Sequence, residues 1–305
     1  MRPENYRPKI YDCFMFFNEI DLLKIRLEEL YDYVDYFVIV EARTKHNGEK
    51  KLLYFKEHEK DFKKFKDKII YIPINNPRLN LFDKFYSFLE RRIHGTNLFV
   101  IGGMLFYFGL WKMDSFQRNQ IKKGLVRCDD DDIVLISDLD EIPNTEIIPT
   151  IIKECYEDKL VRLKQKDYRY FLNGSLNEDW FGTKAVKFGV LKKYFGGNPQ
   201  RTRYGLAYAL TKRLKFFPEI IIIDNGGWHF SYLGGVQKIM EKISSIVHTE
   251  HNNPDINNEK NIQKCLDKGV LAWDKSKKIE YVEIDETFPK TIYENKERYK
   301  HLIKE

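Results

Sequence analysis

Along the first 40 residues the apolar positions change period twice. Residues 10–17 form a nearly unbroken apolar run, the signature of a strand buried on both faces. Ile20, Leu23, Leu27, Leu30 and Val34 then recur at helical spacing, and residues 36–40 return to a short apolar run. Strand, helix, strand in that order predicts a βαβ unit, and with it a parallel sheet with helices on its faces. Asn18 is placed to cap the helix, Asp21 falls in its first turn, and Phe17 can pack on Leu22 as a hydrophobic staple.

Further along, a lysine-rich stretch at 56–68 carries Phe55, Phe62 and Phe65 and reads as a solvated helix before a short strand at 69–74. Residues 97–110 (NLFVIGGMLFYFGL) are too few and too interrupted to span a bilayer, and they are expected to pack in the core. An amphipathic helix at 111–125 ends at Gly124, and five small or apolar residues at 133–137 predict a buried strand. Strand-like and loop-like segments follow at 159–172 and 184–195, then an isoleucine strand at 220–223, a glycine-rich turn and a helix at 236–247. Residues 248–260 are polar and turn-rich and predict a mobile loop. From Pro289 onward a helix is expected, with Tyr293 and Tyr299 near its apolar face. No internal repeat is visible, so the expected arrangement is one α/β domain over residues 1–305 with a short extension at 1–9.

Composition narrows the class. Hydrophobic residues make up 43% of the 305 and aromatics 15%, which excludes a disordered chain, while 32% charged residues give a soluble surface. A net charge of +6 is modest and spread out, so nucleic-acid binding is not implied. It suits an anionic substrate such as a nucleotide diphosphate, or a loose, peripheral attraction to anionic lipid. Cys13, Cys128, Cys155 and Cys265 form no CxxC pair, so reduced thiols are expected rather than zinc or disulfides. The start MRPENYRPKI lacks the apolar core of a signal peptide and no segment is long enough for a membrane span, so a soluble, cytoplasmic protein is expected. Asn173-Gly174-Ser175 fits a glycosylation sequon, a triplet common by chance.

The candidate chemistry sits at the end of the strand at 133–137. There Asp138-Leu139-Asp140-Glu141-Ile142-Pro143 places three carboxylates within four residues, just where open α/β sheets bind ligands. Such carboxylates repel one another at low dielectric, and a divalent cation, Mg2+ or Mn2+, is the simplest means of holding them while bridging to a phosphate. Asp138 and Asp140 are therefore the candidate metal ligands, against the plain alternative of an acidic loop capping the next helix. Asp129 to Asp132, at the opposite end of the strand, reads as a solvated turn. A second cluster, Asp224-Asn-Gly-Gly-Trp228-His229-Phe-Ser-Tyr-Leu-Gly-Gly235, offers His229 as a nitrogen ligand, with Trp228 beside it and glycines that permit close backbone approach.

Four segments in this order, DCFMFFNEIDLLKIRLEELYDYVDYFVIVEA, LISDLDEIP, GWHFSYLGG and FPKTIYENKERYKHLI, resemble glycosyltransferase family 17, the β-1,4-N-acetylglucosaminyltransferases. The resemblance implies a GT-A-like, Rossmann-like mixed sheet flanked by helices, an inverting mechanism, UDP-N-acetylglucosamine (UDP-GlcNAc) as donor and manganese as cation. It matches Asp138 and Asp140 to the DxD pair, His229 to the GWH histidine and Glu41 to an acidic residue after the second strand. Glu41 would reach the nucleotide or cap a neighbouring helix. Asn18, after the first strand, is a further donor-side candidate. Gln117 and Arg118, in WKMDSFQRNQI, are the others: Arg118 suits a phosphate fork, with a surface salt bridge as the alternative. Residues 164–214 match little, which leaves the glycan acceptor open.

An inverting transfer needs one general base for the acceptor hydroxyl. The candidates are Glu141, Glu178, Asp179 and Asp224, of which Asp179 has the neighbouring Trp180 as a platform for a sugar face. Two rival readings use the same carboxylates. A nucleotidyltransferase should carry a glycine-rich basic loop after the first strand, where FFNEIDLL stands instead. A non-catalytic carbohydrate-binding protein would hold a purely structural ion.

Overall fold

A computed structural model describes residues 7–45, 48–93, 98, 101–102, 108–204 and 217–305. The opening is the expected βαβ unit: β1 (Ile10–Phe16), α1 (Ile20–Leu30) and β2 (Tyr36–Ala42). α1 differs at its start. Glu19 occupies the cap position with no side-chain cap bond, and the Asn18 amide instead donates to Glu241 at 3.1 Å. Phe55, Phe62 and Phe65 of the lysine-rich stretch are buried against the core, on α2 (Tyr54–Glu57) and a 3-10 helix, Glu59–Lys68, that leads into β3 (Ile69–Ile74). α3 (Leu81–Arg92) starts in a capping box between Asn80 and Asp83. Most of residues 97–110 lie outside the described residues. Of those described, Leu98 and Ile101 are exposed rather than in the core, and Leu110 is buried.

α4 (Trp111–Asn119) and a 3-10 turn precede β4 (Ile133–Asp138) and the short β5 (Glu141–Pro143). Next come α5 (Ile148–Tyr156), β6 (Leu160–Leu163), β7 (Gln165–Arg169), β8 (Gly174–Trp180) and β9 (Lys184–Lys187). The segment 188–195 is a helix, α6 (Phe188–Phe195), ended by Gly196 in the left-handed conformation, and α7 (Pro199–Tyr204) follows. The last third holds β10 (Ile220–Ile223), β11 (Gly227–Ser231), α8 (Gly235–Ser245), α9 (Glu259–Lys268) and β12 (Glu280–Tyr281). The polar segment 248–260 contains a 3-10 turn at Thr249–His251, and Asn258 at its end caps α9. The C-terminal helix is split into two short pieces, Lys290–Tyr293 and Lys296–Tyr299, with Tyr299 buried.

Two sheets result. The larger has the order β10-β6-β9-β4-β1-β2-β3, parallel except where β9 runs antiparallel between β4 and β6. The smaller has the order β12-β8-β7-β11-β5. This is the GT-A-like mixed sheet flanked by helices expected from the sequence. Central strands β1, β2 and β4 are buried on both faces, so Phe14, Ile39 and Leu135 join one core layer and Cys13, Val38 and Ile136 the other. Each such side chain contributes roughly 1.5–3 kcal/mol of apolar burial.

All four cysteines are buried and free. Asn173 of the sequon is buried too, its amide donating to the carbonyls of Val282 and Lys304. Asp132 is no solvated turn residue: its buried carboxylate accepts from the Lys9 and Asp129 amides. Among the described residues no helix is long and apolar enough to cross a membrane.

Candidate active site

Strand register decides where the site lies. Met15 pairs with Asp138 and Phe16 with Glu41, so β1, β2 and β4 end at one level. Over that rim opens a cavity of about 560 Å³, a usual size for a small-molecule site. Its floor is Met15, Phe16 and Ala42, and α4 supplies Asp114, Gln117 and Arg118. The smaller sheet adds Arg169, Trp180, His229 and Ser231, while Arg203 of α7 and Lys242 of α8 close the sides. Six cations (Lys45, Lys51, Arg118, Arg169, Arg203, Lys242) face four carboxylates (Glu19, Asp114, Asp138, Asp140). Each of the six also has a carboxylate partner in the protein, Glu41, Asp167 and Glu141 standing behind the lining, so the cations form a paired network that a diphosphate would enter by exchange.

Asp138 ends β4 and Glu141 begins β5, so Asp138-Leu139-Asp140-Glu141 is the corner where the chain passes from one sheet to the other. One fully buried guanidinium shapes that corner. Arg26 of α1 donates to the carbonyls of Asp138, Leu139 and Glu141 at 3.0, 3.1 and 2.8 Å, and to the Ser137 hydroxyl at 2.5 Å. Two further bonds, 2.8 and 2.6 Å, hold both oxygens of Asp12, and the group lies over the Phe14 ring.

The corner carboxylates have protein counter-ions. Asp138 accepts from Arg118 at 2.7 Å and Arg203 at 2.9 Å, one on each oxygen. Burial works to raise its pKa, and the two guanidiniums outweigh it, holding the carboxyl at about 2. Asp140 accepts from Ser231 and Lys242 at 3.0 and 2.8 Å. Against its burial, Lys242 and His229 hold it well below the usual carboxylate range. His229 Nδ1 meets Asp167 at 2.9 Å, which turns Nε2 toward Asp140 at 3.6 Å, and the Trp180 ring stacks on the imidazole at 4.2 Å between centroids. Burial pulls the imidazole's pKa down, Asp140 and Asp167 push it up, and the net shift is upward.

A carboxylate fixing one imidazole nitrogen while the other faces a second carboxylate is the donor chemistry of a divalent-cation site, so Asp140 and His229 fit a metal. Asp138 is brought to the same cavity but is occupied by its arginines. Among the described residues the only three His, Cys, Asp or Glu side chains with donor atoms mutually within 4.8 Å are His248, Glu250 and His251, so the expected trio of Asp138, Asp140 and His229 is not closed around one point. The repulsion that argued for a cation is met here by Arg118, Arg203 and Lys242.

Other expected residues lie elsewhere. Glu41 is fully buried, accepting from the Tyr54 and Phe55 amides at the start of α2, from Lys51 and from the Tyr71 hydroxyl. Those two amide bonds are the helix-capping alternative, and Glu41 does not line the cavity. Asn18 lines a small neighbouring cleft instead of the cavity. Trp228 points into the core and donates to the Thr287 carbonyl, because adjacent strand residues face opposite sides and His229 takes the cavity side. Glu141 is buried beneath the cavity, accepting from the Asp138 amide, Trp180 and Arg203. Asp179 and Asp224 are exposed and share Lys164 outside the cavity, and Glu178 pairs with Lys277. Gln117 does line the cavity, bonded to Asn76.

A mixed sheet of this order, with an acidic corner and a cationic lining at its carboxyl rim, is a GT-A-like arrangement, and the sequence assigns it to the glycosyltransferases. The sequence profile of glycosyltransferase family 17 matches residues 2–105 and 83–304, and the chain belongs to that family. Among solved structures it is similar to the galactosyltransferase LgtC in complex with donor and acceptor sugar analogues, at 12% identity and a TM-score of 0.34, over 68% of this chain and 66% of that one. It is also similar to S. aureus TarS 1–349, at 14% identity and a TM-score of 0.39, over 85% of this chain and 69% of that one. The chain thus spans about two thirds of the length of each. No curated protein sequence matches it.

Proposed function

We propose that the protein is an inverting glycosyltransferase that moves N-acetylglucosamine from UDP-GlcNAc to a hydroxyl of a glycan acceptor, with Mn2+ or Mg2+ assisting. The observation that carries this reading is the cavity at the carboxyl rim, where Asp138 and Asp140 lie among six cations that would receive a diphosphate. Asp140 and His229 would hold the cation, whose chemistry is to neutralise charge on the leaving diphosphate. Arg118 and Arg203, poised on Asp138, supply the same neutralisation from the protein.

For the base, the cavity offers His248. Its Nδ1 is held by Glu250 at 2.7 Å, and its ring stands edge-on to Trp111 at 5.1 Å on the cavity wall. The acceptor oxygen bonds to the anomeric carbon while its proton passes to the imidazole, and the anomeric carbon–oxygen bond breaks with its electron pair leaving on UDP.

The test is a panel of UDP- and GDP-sugars read by thermal shift with and without manganese, followed by release of free nucleotide. UDP-GlcNAc with manganese is expected to stabilise the protein and to be turned over, and Asp140→Ala to abolish both while leaving the melting curve cooperative. Consumption of UTP with release of pyrophosphate would identify a nucleotidyltransferase instead. Glycan binding without any turnover would leave a binding protein.

A further inference from the structure

Helix α3 is amphipathic in the reverse sense. Its polar residues Asp83, Ser87 and Glu90 are buried: Asp83 closes the capping box and binds Lys112, and Glu90 accepts from the Trp111 indole. Its apolar residues face solvent, with Leu81 84%, Phe82 53%, Phe85 57% and Phe88 52% exposed. Spaced at i, i+1, i+4 and i+7, they form one stripe. Among the described residues, seven of the eleven large exposed apolar side chains fall between positions 81 and 101. Such a concentration marks a docking surface rather than ordinary scatter.

Among the described residues of this stretch the exposed charges have one sign. Residues 75–110 contain only two acids, Asp83 and Glu90, and both are turned inward. Arg78, Lys84 and Arg92 are exposed, and the Arg92 guanidinium lies 5.3 Å from the Phe88 ring centre. A protein partner or a second copy would match discrete charges. A rim carrying only cations around inserted phenylalanines instead matches a continuous anionic sheet.

We propose that α3 is an interfacial anchor that lies flat on an anionic phospholipid bilayer, with Phe82, Phe85 and Phe88 in the headgroup–acyl boundary and Lys84 and Arg92 on the phosphates. Trp111 both binds Glu90 of this helix and lines the cavity, so the anchor holds the cavity mouth at the bilayer. The anchor stands independently of the sugar-transfer reading.

The test is flotation of the full chain with vesicles of phosphatidylglycerol and phosphatidylcholine, against pure phosphatidylcholine. Binding is expected to the anionic vesicles only. Phe85→Ser/Phe88→Ser and Lys84→Glu/Arg92→Glu should each weaken it about tenfold or more, while Val126→Ser, an exposed apolar change elsewhere, leaves it unchanged. Circular dichroism confirms that each variant is folded. The proposal is overturned if the wild-type chain fails to float, or if it binds phosphatidylcholine equally. It is also overturned if the phenylalanine variant breaks a solution dimer without changing flotation.

Discussion

Replacing Arg26 by lysine keeps the charge and removes the fork. The guanidinium makes six hydrogen bonds, two to Asp12, one to Ser137 and three to corner carbonyls. An ammonium has three donors for these six acceptors, and the Glu141 carbonyl also accepts from the Thr183 hydroxyl, so at least two buried acceptors lose their only partner. At roughly 1 kcal/mol or more for each orphaned group, Arg26→Lys should cost about 2 kcal/mol or more. That is a large fraction of a domain's ~5–15 kcal/mol. Arg26→Met goes further and strands Asp12 as a buried charge, adding about 3–5 kcal/mol, so this variant is expected not to fold. The assay is urea unfolding followed by tryptophan fluorescence, with nucleotide-linked stabilisation measured on the folded lysine variant. Because the lost bonds fix the backbone that carries Asp138 and Asp140, donor affinity should fall along with stability. A lysine variant within about 1 kcal/mol of wild type would show that the corner is held by something else.

His248→Asn should lower kcat by about 10²-fold or more with little change in the donor KM, and Glu250→Gln, which removes the charge holding the imidazole, should do less. Unchanged kcat in His248→Asn would remove it from the reaction. His251 is packed against Trp273, and burial, reinforced by His248 and opposed by Glu250, lowers its pKa from 6.5 to about 4. Its folded value lies below the unfolded one, so the neutral ring's contribution to stability is complete above 6.5 and is lost as pH falls toward 4. Between pH 7 and 5 that loss is about 2 kcal/mol, and His251→Gln should be correspondingly less sensitive over this interval in parallel unfolding titrations. Equal pH slopes for the two proteins would refute it.

How much of this was legible depended on whether the signal was local. Period alone located β1, α1, β2 and β4, and the DxD corner followed because a buried strand must deliver its last residues to the rim. His229 was legible for the same reason, and strand alternation, applied to its neighbour, would have sent Trp228 to the core. Arg26 also left a trace: it shares a helical stripe with Leu22, Leu23, Leu27 and Leu30, so a charge on that face has to find a buried partner. Arg203, Lys242 and Asp167 left none, because they reach the corner only after α7, α8 and β7 have packed against it. The base candidates Asp179 and Asp224 failed similarly: spacing reveals an acid near an aromatic or a turn, not the side of the sheet on which it emerges.

Because Asp138 terminates a strand of the larger sheet while Asp140 is tied to Ser231 and Lys242 in the smaller half, the two aspartates report on different bodies of the same molecule. A slide of one sheet against the other changes their separation directly. The smaller sheet is not separable from that corner: Trp180 of β8 donates to Glu141 and stacks on His229, so a change in β8 is felt on both sides of the bend at Leu139.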